Sequence, residues 1–374
     1  MASDEEIKNT GEILDRLLSV PISTGSSLTK KPVLLELYKA ARDKFGEPLI
    51  YLAVKEILSR VNKGDTVLIV TGFTIPPWFR AEHDGPAGAV TLARALNLGL
   101  DATPVIVAEK VVNDRMPGLC KASGFEVSDY VEAKQYPRRI ALENLSVIDD
   151  IARRRAKSVL DEMNPSLIIT IEKASPNEKG VCHTGVGYDV TAIEGKVSYL
   201  IQEAKNRSIF TIGIGDGGNE VGMGCIKETV KKVLPSGSKC GCPCGAGTHS
   251  DIATDLLLVT MVSNWGAYAL EALLAIAKGK PEIMHDVALE DKVFEAAVSA
   301  GFIDPAAGFG MASGDAIDKS VHLAMVDILN FIVKSKINDT FYMEKYKEYS
   351  SVGRETVQEK IRNWASKIQE EESD

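Results

Sequence analysis

Residues 213–224 read GIGDGGNEVGMG and begin at the end of the apolar run 209–214. Gly213, Gly215 and Gly218 have the spacing G-x-G-x-x-G. This spacing also occurs where a strand turns into a helix beneath the phosphates of a dinucleotide. Here Asp216 lies inside the turn and Glu220 directly after it, and their negative charge would repel a pyrophosphate. We therefore expect the glycines to form a sharp turn that presents Asp216, Asn219 and Glu220 to a cation or a polar ligand.

Short apolar runs rich in β-branched residues alternate with helical patterns, which indicates βαβ units and a mainly parallel sheet. The predicted strands are residues 66–70, 104–108, 167–171, 209–214 and 256–262. Apolar residues spaced by three and four predict helices over 34–45, 89–96 and 321–332. The fold class that follows is α/β, with a doubly wound, mainly parallel sheet and helices on both faces. We expect residues 1–335 to form one domain and residues 336–374 a charged helical tail.

Composition and charge narrow the classes of function. The chain of 374 residues has a formal net charge of -9, which argues against a nucleic-acid binder because neutralising phosphates requires a Lys/Arg surface. No apolar stretch reaches the roughly 18 residues of a membrane-spanning helix. The acidic N-terminus lacks the features of a signal or transit peptide, so we expect a cytoplasmic protein without a membrane partner.

Ligands of an open parallel sheet bind at the carboxyl ends of its strands, and here the segments near those ends are rich in acids. The candidate residues are Glu82, His83, Asp84 and Gly85 after the first strand, Glu172, Asn177, His183, Tyr188 and Asp189 after the third, Asp216, Gly217, Gly218, Asn219 and Glu220 after the fourth, and His249, Asp251 and Asp255 beside the last. A single acid in such a place is often a helix cap, above all Asp84 and Asp251. Converging carboxylates instead predict an acidic crevice that binds Mg²⁺ or Mn²⁺, and an imidazole ligand would favour Mn²⁺.

Two further segments contain residues that could bind ligands. The cysteines of CGCPC, residues 240–244, raise the alternatives of zinc and of an iron–sulfur centre, but the usual C-x2-C or C-x4-C pairs are missing. We expect Cys240, Cys242 and Cys244 to be reduced thiols, as the six cysteines do not form a secreted disulfide framework. STGSSLTKK, residues 23–31, offers hydroxyls and Lys30 to a phosphate, but a solvated turn is expected there.

Six stretches together resemble one family. They are TGF (71–73), EHDGPAGA (82–89), IEKAS (171–175), GIGDGGNEVGMG (213–224), DIATD (251–255) and VSNWGAYAL (262–270). In this order they resemble the C-terminal domain of the D-glutamate cyclase proteins and its stand-alone relatives. The resemblance implies an α/β fold with an acidic crevice. It also implies either a manganese-dependent phosphatase, as for the stand-alone relatives, or the conversion of D-glutamate to 5-oxo-D-proline and water, as for the two-domain relatives. The N-terminal hydro-lyase-like domain of the latter is not expected here, and the KCGCPCG loop departs from the family pattern.

Three functions stay open. The first is a Mn²⁺- or Mg²⁺-dependent phosphatase acting on a small anionic metabolite, in which the metal polarises the phosphoryl group and His83 or His183 protonates the leaving oxygen. The second is a D-glutamate cyclase, in which Glu172 deprotonates the substrate amine and Arg80, Lys173 or the metal binds the substrate carboxylates. The third is a metal- or ligand-binding module without catalysis.

The predicted residues fall into three roles. The predicted metal ligands are Glu172, Asp216, Glu220, Asp251 and Asp255, and the predicted catalytic residues are His83, His183 and Glu172. The predicted substrate-binding residues are Glu82, Asp84, Gly85, Asn177, Asp189, Gly217, Gly218, Asn219 and Asn264. A homo-oligomer is also left open by the sequence.

Overall fold

Seven parallel strands form the central sheet of the computed structural model, which describes residues 2–21, 33–308, 310–337, 346–348, 350–351 and 353–372. Together with four short strands outside this sheet, the strands in chain order are β1 (Thr66–Thr71), β2 (Thr74–Ile75), β3 (Arg80–Ala81), β4 (Thr103–Ala108), β5 (Glu126–Ser128), β6 (Arg139–Asn144), β7 (Leu167–Ile171), β8 (Phe210–Gly215), β9 (Leu256–Val259), β10 (Ser313–Gly314) and β11 (Ile317–Asp318). The order in the sheet is β5-β6-β4-β1-β7-β8-β9, and β2 with β3 and β10 with β11 form two short antiparallel pairs.

Helices connect these strands and cover the sheet. They are α1 (Asp4–Leu18), α2 (Val33–Phe45), α3 (Leu49–Arg60), α4 (Pro86–Leu100), α5 (Lys110–Asn113), α6 (Met116–Ala122), α7 (Tyr130–Gln135), α8 (Asp149–Met163), α9 (Val197–Asn206), α10 (Lys227–Val233), α11 (Ser263–Lys278), α12 (Val287–Ala300), α13 (Lys319–Ile337) and α14 (Arg354–Glu371). Short 3₁₀ turns cover Met223–Ile226 and Pro281–Ile283. Within the described residues, none of the helices combines the length and the apolar character that crossing a bilayer requires.

The central strand β1 is buried on both faces of the sheet. Its residues Val67 and Ile69 belong to a large hydrophobic cluster that includes residues of α4 and α11, whereas Leu68 and Val70 belong to a second cluster with residues of α8 and α9. Successive side chains of a strand point to opposite faces, so helices pack on both sides of β1. The predicted α/β fold with a doubly wound parallel sheet is therefore confirmed.

The five predicted strands are all present, with small shifts at their ends. The strand predicted over 256–262 ends at Val259, and α11 begins at Ser263. Strands β5 and β6, at one edge of the sheet, were not predicted, because they are partly exposed and carry charged residues instead of an apolar run. The predicted helices lie within α2, α4 and α13. Because α13 extends to Ile337, it crosses the predicted domain limit at residue 335, and that limit stays a prediction.

Lys173, which follows β7, ties together the loops at the carboxyl edge of the sheet. Its side chain is fully buried, and Nζ donates to the Gly72 carbonyl (2.7 Å) and to the carboxylates of Glu109 and Glu194. Glu194 also accepts a hydrogen bond from the Thr74 amide (2.7 Å). Burial opposes the charge, but the two carboxylates outweigh it and raise the pKa of Lys173, so the ammonium group stays protonated.

Replacing Lys173 by Met should leave Glu109 and Glu194 buried without their cation. We expect the free energy of unfolding, measured by urea denaturation, to fall by about 3–5 kcal/mol. The control Lys110→Met removes a solvent-exposed pair with Asp114 and should cost less than about 1 kcal/mol. Similar losses for both variants would contradict the role assigned to Lys173.

Candidate functional site

A crevice opens at the carboxyl ends of β1 and β7, where the order of the strands reverses direction. Strand β1 pairs with β4 on one side and with β7 on the other, so the connections leave in opposite directions at this point. Such a switch point is where open α/β sheets bind ligands. The cavity here has a volume of about 420 Å³, which suits a small metabolite.

The lining of the crevice combines acids with apolar walls. Six carboxylate residues line it, namely Glu82, Glu172, Asp216, Glu220, Asp304 and Asp315. The apolar part of the wall includes Phe73, Ile75, Trp78, Val186 and Tyr188. In the part of the chain that the structure describes, no Lys, Arg or His is among the lining residues. The crevice is therefore strongly acidic.

Glu220 accepts hydrogen bonds from the backbone amides of the glycine turn after β8. Its Oε1 accepts from the Gly217 amide (2.7 Å) and its Oε2 from the Gly218 amide (2.8 Å). Gly218 has a φ of +95°, and a Cβ atom there would lie 2.7 Å from Leu234 Cδ1, so the turn requires glycine. Amides that face a phosphate in dinucleotide-binding turns are here bound by a carboxylate of the same turn. The turn thus presents acids to the crevice.

Asp216 lies at the centre of the acidic cluster. Its Oδ2 atom is buried and has no hydrogen-bond partner among the residues that the structure describes. One carboxylate oxygen each from Glu172, Asp216 and Glu220 lie within 4.8 Å of one another, and the same holds for Asp84, Asp216 and Asp315. Glu172 is fixed by a hydrogen bond from the Ser263 hydroxyl (2.6 Å). Asp216 therefore belongs to both groups and has an oxygen free for a ligand.

Burial and mutual repulsion raise the pKa values of these acids. Burial is the main cause of the raised pKa of Glu172, followed by the charge of Glu220, and burial followed by Asp315 raises the pKa of Asp216. Burial likewise raises the pKa of Asp315 to about 6. Protons or a cation can relieve this repulsion. A set of oxygen donors alone fits Mg²⁺ or Mn²⁺.

Asp84 and Asn264 cap each other's helices behind the crevice. Asp84 accepts hydrogen bonds from the Ser263 amide (2.9 Å) and the Asn264 amide (2.7 Å) at the start of α11. Asn264 Oδ1 accepts from the amides of Gly85 (2.9 Å) and Gly88 (2.7 Å) at the start of α4. These contacts satisfy donors that a helix leaves unpaired in its first turn. Asp84 thus has the capping role that the sequence offered as an alternative, but its carboxylate caps α11.

Besides Asp84, three predicted acids lie outside the crevice lining. Asp251 pairs with Lys227 (2.7 Å), and Asp255 Oδ2 accepts from the amide and the hydroxyl of Thr211 (both 2.8 Å). Asp189 accepts from the Thr191 amide (2.9 Å). These carboxylates have protein partners of their own, and the structure does not bring them into either group of clustered acids.

The predicted catalytic residues His83 and His183 are also not among the lining residues of the crevice. His83 is buried and stacks on Phe294 at 3.9 Å, and burial followed by the neighbouring His322 lowers the pKa of His83 to about 4. It is therefore neutral near pH 7. His183 Nε2 instead lies 3.2 Å from Cys242 Sγ and 3.8 Å from Cys244 Sγ.

The other predicted binding residues divide between the crevice and its surroundings. Gly217, Asn219 and Glu82 line the crevice, and Tyr188 stands in its wall. Asn177 donates to the Gly247 carbonyl (2.7 Å) in the cysteine-containing loop. The substrate-binding role of these residues stays a prediction.

The basic residues proposed to bind a substrate do not line the crevice in the described part of the chain. Lys173 is fully engaged by its buried carboxylates, and Arg80 is not among the lining residues. Lys30 and the whole segment 23–31 lie outside the described residues.

Two acids of the crevice were missed by sequence reasoning. Asp304 and Asp315 lie in the Gly/Ala-rich segment 301–315, for which the sequence analysis predicts no site residue. Asp304 is fully buried and accepts from the amides of Ala306 (2.8 Å) and Ala316 (3.1 Å), so it shapes the loop that carries Asp315. Paired acids in a glycine-rich loop were the available signal.

Comparisons with known proteins agree with the motifs. The family model described as "D-glutamate cyclase-like, C-terminal" matches residues 40–330. A human protein named "D-glutamate cyclase, mitochondrial" is 28% identical over 261 residues, which cover 67% of this chain and 36% of the relative. The chain thus spans about a third of that relative's length. Neither match supports a phosphatase. The relative's name places that protein in mitochondria, so the cytoplasmic location stays a prediction.

The raised pKa values predict how pH changes the stability of the metal-free protein. A carboxyl group whose pKa is higher in the folded state binds more protons when folded, so its stabilising contribution is lost as the pH rises. For Asp315 this loss runs from its ordinary pKa of 3.8 to about 6. Asp216→Asn removes the repulsion between Asp216 and the neighbouring carboxylates. The free energy of unfolding of this variant should therefore exceed that of the wild type, and the difference should grow as the pH rises, to about 1 kcal/mol or more near pH 8.

Urea denaturation in buffer freed of divalent cations, at intervals from about pH 5 to about pH 8, measures this difference. The control Asp251→Asn loses a carboxylate that is paired with Lys227 outside the cluster, so it should show no such gain. A difference between Asp216→Asn and the wild type that does not change with pH would refute the proposed repulsion.

Proposed function

The chain belongs to the D-glutamate cyclase-like, C-terminal family, and from this membership we propose that it is a lyase of the D-glutamate cyclase type that uses a divalent cation. The observation that carries the proposal is the lining of the crevice, which has six carboxylates and, across the described ranges, no basic side chain. A small acidic substrate is repelled by such a lining unless a cation lies between them.

The cation that fits is Mg²⁺ or Mn²⁺. Glu172, Asp216 and Glu220 would hold it, because one carboxylate oxygen of each lies within 4.8 Å of the others and Asp216 Oδ2 has no hydrogen-bond partner in the described part of the chain. Ions of this class bind oxygen ligands at about 2.0–2.2 Å, which allows ligand atoms of one site to be about 3–4 Å apart. When bound, the ion would screen the substrate carboxylates and polarise the one that reacts.

The carboxyl groups of the chain can move the protons that the cyclisation requires. The substrate amine forms a bond to the γ-carboxyl carbon, a carbon–oxygen bond breaks, and water leaves. From the ammonium and γ-carboxylate forms of the substrate, the nitrogen therefore loses two protons and the departing oxygen gains two before it leaves as water. With a pKa of about 6, Asp315 can accept protons from the nitrogen near neutral pH. Burial raises the pKa of Glu82 well above its ordinary value, so this residue can donate a proton to the departing oxygen, and proton exchange with solvent restores both carboxyl groups.

The apolar wall suits the same reaction. Phe73, Ile75 and Trp78 can cover the aliphatic part of a small substrate and exclude water. Exclusion of water favours a step that releases water. The phosphatase and the non-catalytic module would use the same acidic crevice, and they are alternative outcomes of the test below.

An assay of the purified full chain with D-glutamate tests the proposal. We expect 5-oxo-D-proline, measured by chiral chromatography, to form in the presence of Mn²⁺ or Mg²⁺ and not in their absence. Asp216→Asn should lower kcat/KM by about 100-fold or more, since it removes a central ligand. The matched control Asp251→Asn, at a predicted ligand that the structure places outside the crevice, should stay within about twofold of the wild type.

Other results would identify a different function. Phosphate release from a panel of phosphorylated metabolites, without lactam formation, would show a phosphatase. Binding of Mn²⁺ by calorimetry without turnover in either assay would indicate a binding module. Lactam formation that neither Asp216→Asn nor metal removal affects would show that the crevice cluster is not the site.

A further inference from the structure

Three cysteines of one loop and a histidine that precedes them by 57 residues or more lie together beside the crevice. Cys240 Sγ lies 3.4 Å from Cys242 Sγ and 3.2 Å from Cys244 Sγ. His183 Nε2 completes the group, at 3.2 Å from Cys242 Sγ and 3.8 Å from Cys244 Sγ. We call these four residues the Cys₃His cluster. All four ligand atoms lie within 4.8 Å of one another.

The separations match a tetrahedral metal site. With Zn–S distances of about 2.3 Å and Zn–N distances of about 2.0–2.1 Å, tetrahedral geometry places two sulfur atoms about 3.8 Å apart and a sulfur and a nitrogen about 3.6 Å apart. Four of the six distances within the Cys₃His cluster are 3.2–3.8 Å, close to these values, and the other two are at most 4.8 Å. They are too long for a disulfide bond, which is about 2.05 Å, and all six cysteines of the chain are free.

The surroundings of the cluster supply hydrogen bonds to sulfur. The Cys244 amide donates to Cys242 Sγ (3.4 Å), and the Asn177 side chain donates to Cys244 Sγ (3.5 Å). Asn177 is itself fixed, because it also donates to the Gly247 carbonyl (2.7 Å) and accepts from the Val181 amide (3.1 Å). Hydrogen bonds of this kind orient metal ligands and stabilise thiolates.

The donor set selects the metal. Three thiolates and one imidazole form one of the ligand sets of structural zinc sites, in which the protein fills all four positions. Most iron–sulfur clusters take four cysteines, or two cysteines and two histidines, and the Cys₃His cluster provides neither of these common sets. Mg²⁺ and Mn²⁺ prefer oxygen ligands. We propose that Cys240, Cys242, Cys244 and His183 bind one structural Zn²⁺ ion.

The zinc ion would fix one wall of the crevice. His183 begins the segment from which Thr184, Val186 and Tyr188 line the crevice. The His183 carbonyl accepts a hydrogen bond from the side chain of Asn219 (2.8 Å), another lining residue. The ion thus links the cysteine loop to this wall, and it has no open position for a substrate. The proposal rests on the Cys₃His cluster and does not depend on the reaction in the crevice.

Elemental analysis of the full chain, purified without chelators from zinc-supplemented medium, tests the site directly. We expect about one zinc ion per chain, released when a mercurial reagent titrates the thiols. Reconstitution with Co²⁺ should produce thiolate-to-cobalt charge-transfer absorption and the strong visible bands of a tetrahedral site. Iron in place of zinc, or neither bound zinc nor a charge-transfer band, would overturn the proposal.

Variants separate this site from the crevice. Cys242→Ser should reduce bound zinc by about tenfold or more. The control Cys225→Ser should keep it, because Cys225 lies outside the cluster and donates to the Thr254 carbonyl. Asp216→Asn should also keep its zinc. Loss of zinc from Asp216→Asn but not from Cys242→Ser would place the ion in the crevice and refute the Cys₃His site. If Cys242→Ser does not fold, the cobalt spectrum of the wild type decides.

Discussion

Carboxylates of like charge share one buried crevice, and their repulsion must be offset before any ligand arrives. The protein does this with backbone amides and hydroxyls. Glu220 is held by the amides of Gly217 and Gly218, and Glu172 by the hydroxyl of Ser263. The acids are therefore fixed by the fold itself. The glycine turn after β8 acquires its function from this constraint, because only a turn with exposed amides can hold Glu220 so close to Asp216.

The two helices behind the crevice also help to offset the repulsion between its carboxylates. Helices α4 and α11 begin beside it, and the partial positive charge at a helix N-terminus stabilises nearby acids. Asp84 and Asn264 join these two starts to each other. Lys173 places a full positive charge beneath the loops, but Glu109 and Glu194 neutralise it. The crevice consequently keeps a negative field that favours a cation over an anion, which is why the proposed reaction is assigned a metal.

The sequence predicts the parts of the fold and the site that depend on local pattern. Strands β1 and β7 are runs of buried, mostly β-branched residues, and β8 is half β-branched and buried except at Phe210. Glu172 directly follows β7, and Asp216 directly follows β8. Asp251 and Asp255 instead precede β9, and they are bound by Lys227 and Thr211, partners that sequence spacing does not reveal. Asp304 and Asp315 reach the crevice from a loop that follows a helix. Contacts between distant segments decide these cases, and local pattern carries no information about them.

The cysteine loop is a further case in which sequence spacing does not predict a site, because its residues meet a distant segment of the chain. The spacing C-x-C-x-C alone suits no common zinc motif, and the fourth ligand candidate, His183, precedes Cys240 by 57 residues in the chain. The strand-end loops bring the two segments together beside the crevice. Asn219 lines the crevice with its carboxylates and donates a hydrogen bond to the carbonyl of His183, whose imidazole belongs to the Cys₃His cluster. Because soft and hard donors select different cations, zinc and manganese taken up from one medium would sort themselves between two neighbouring sites.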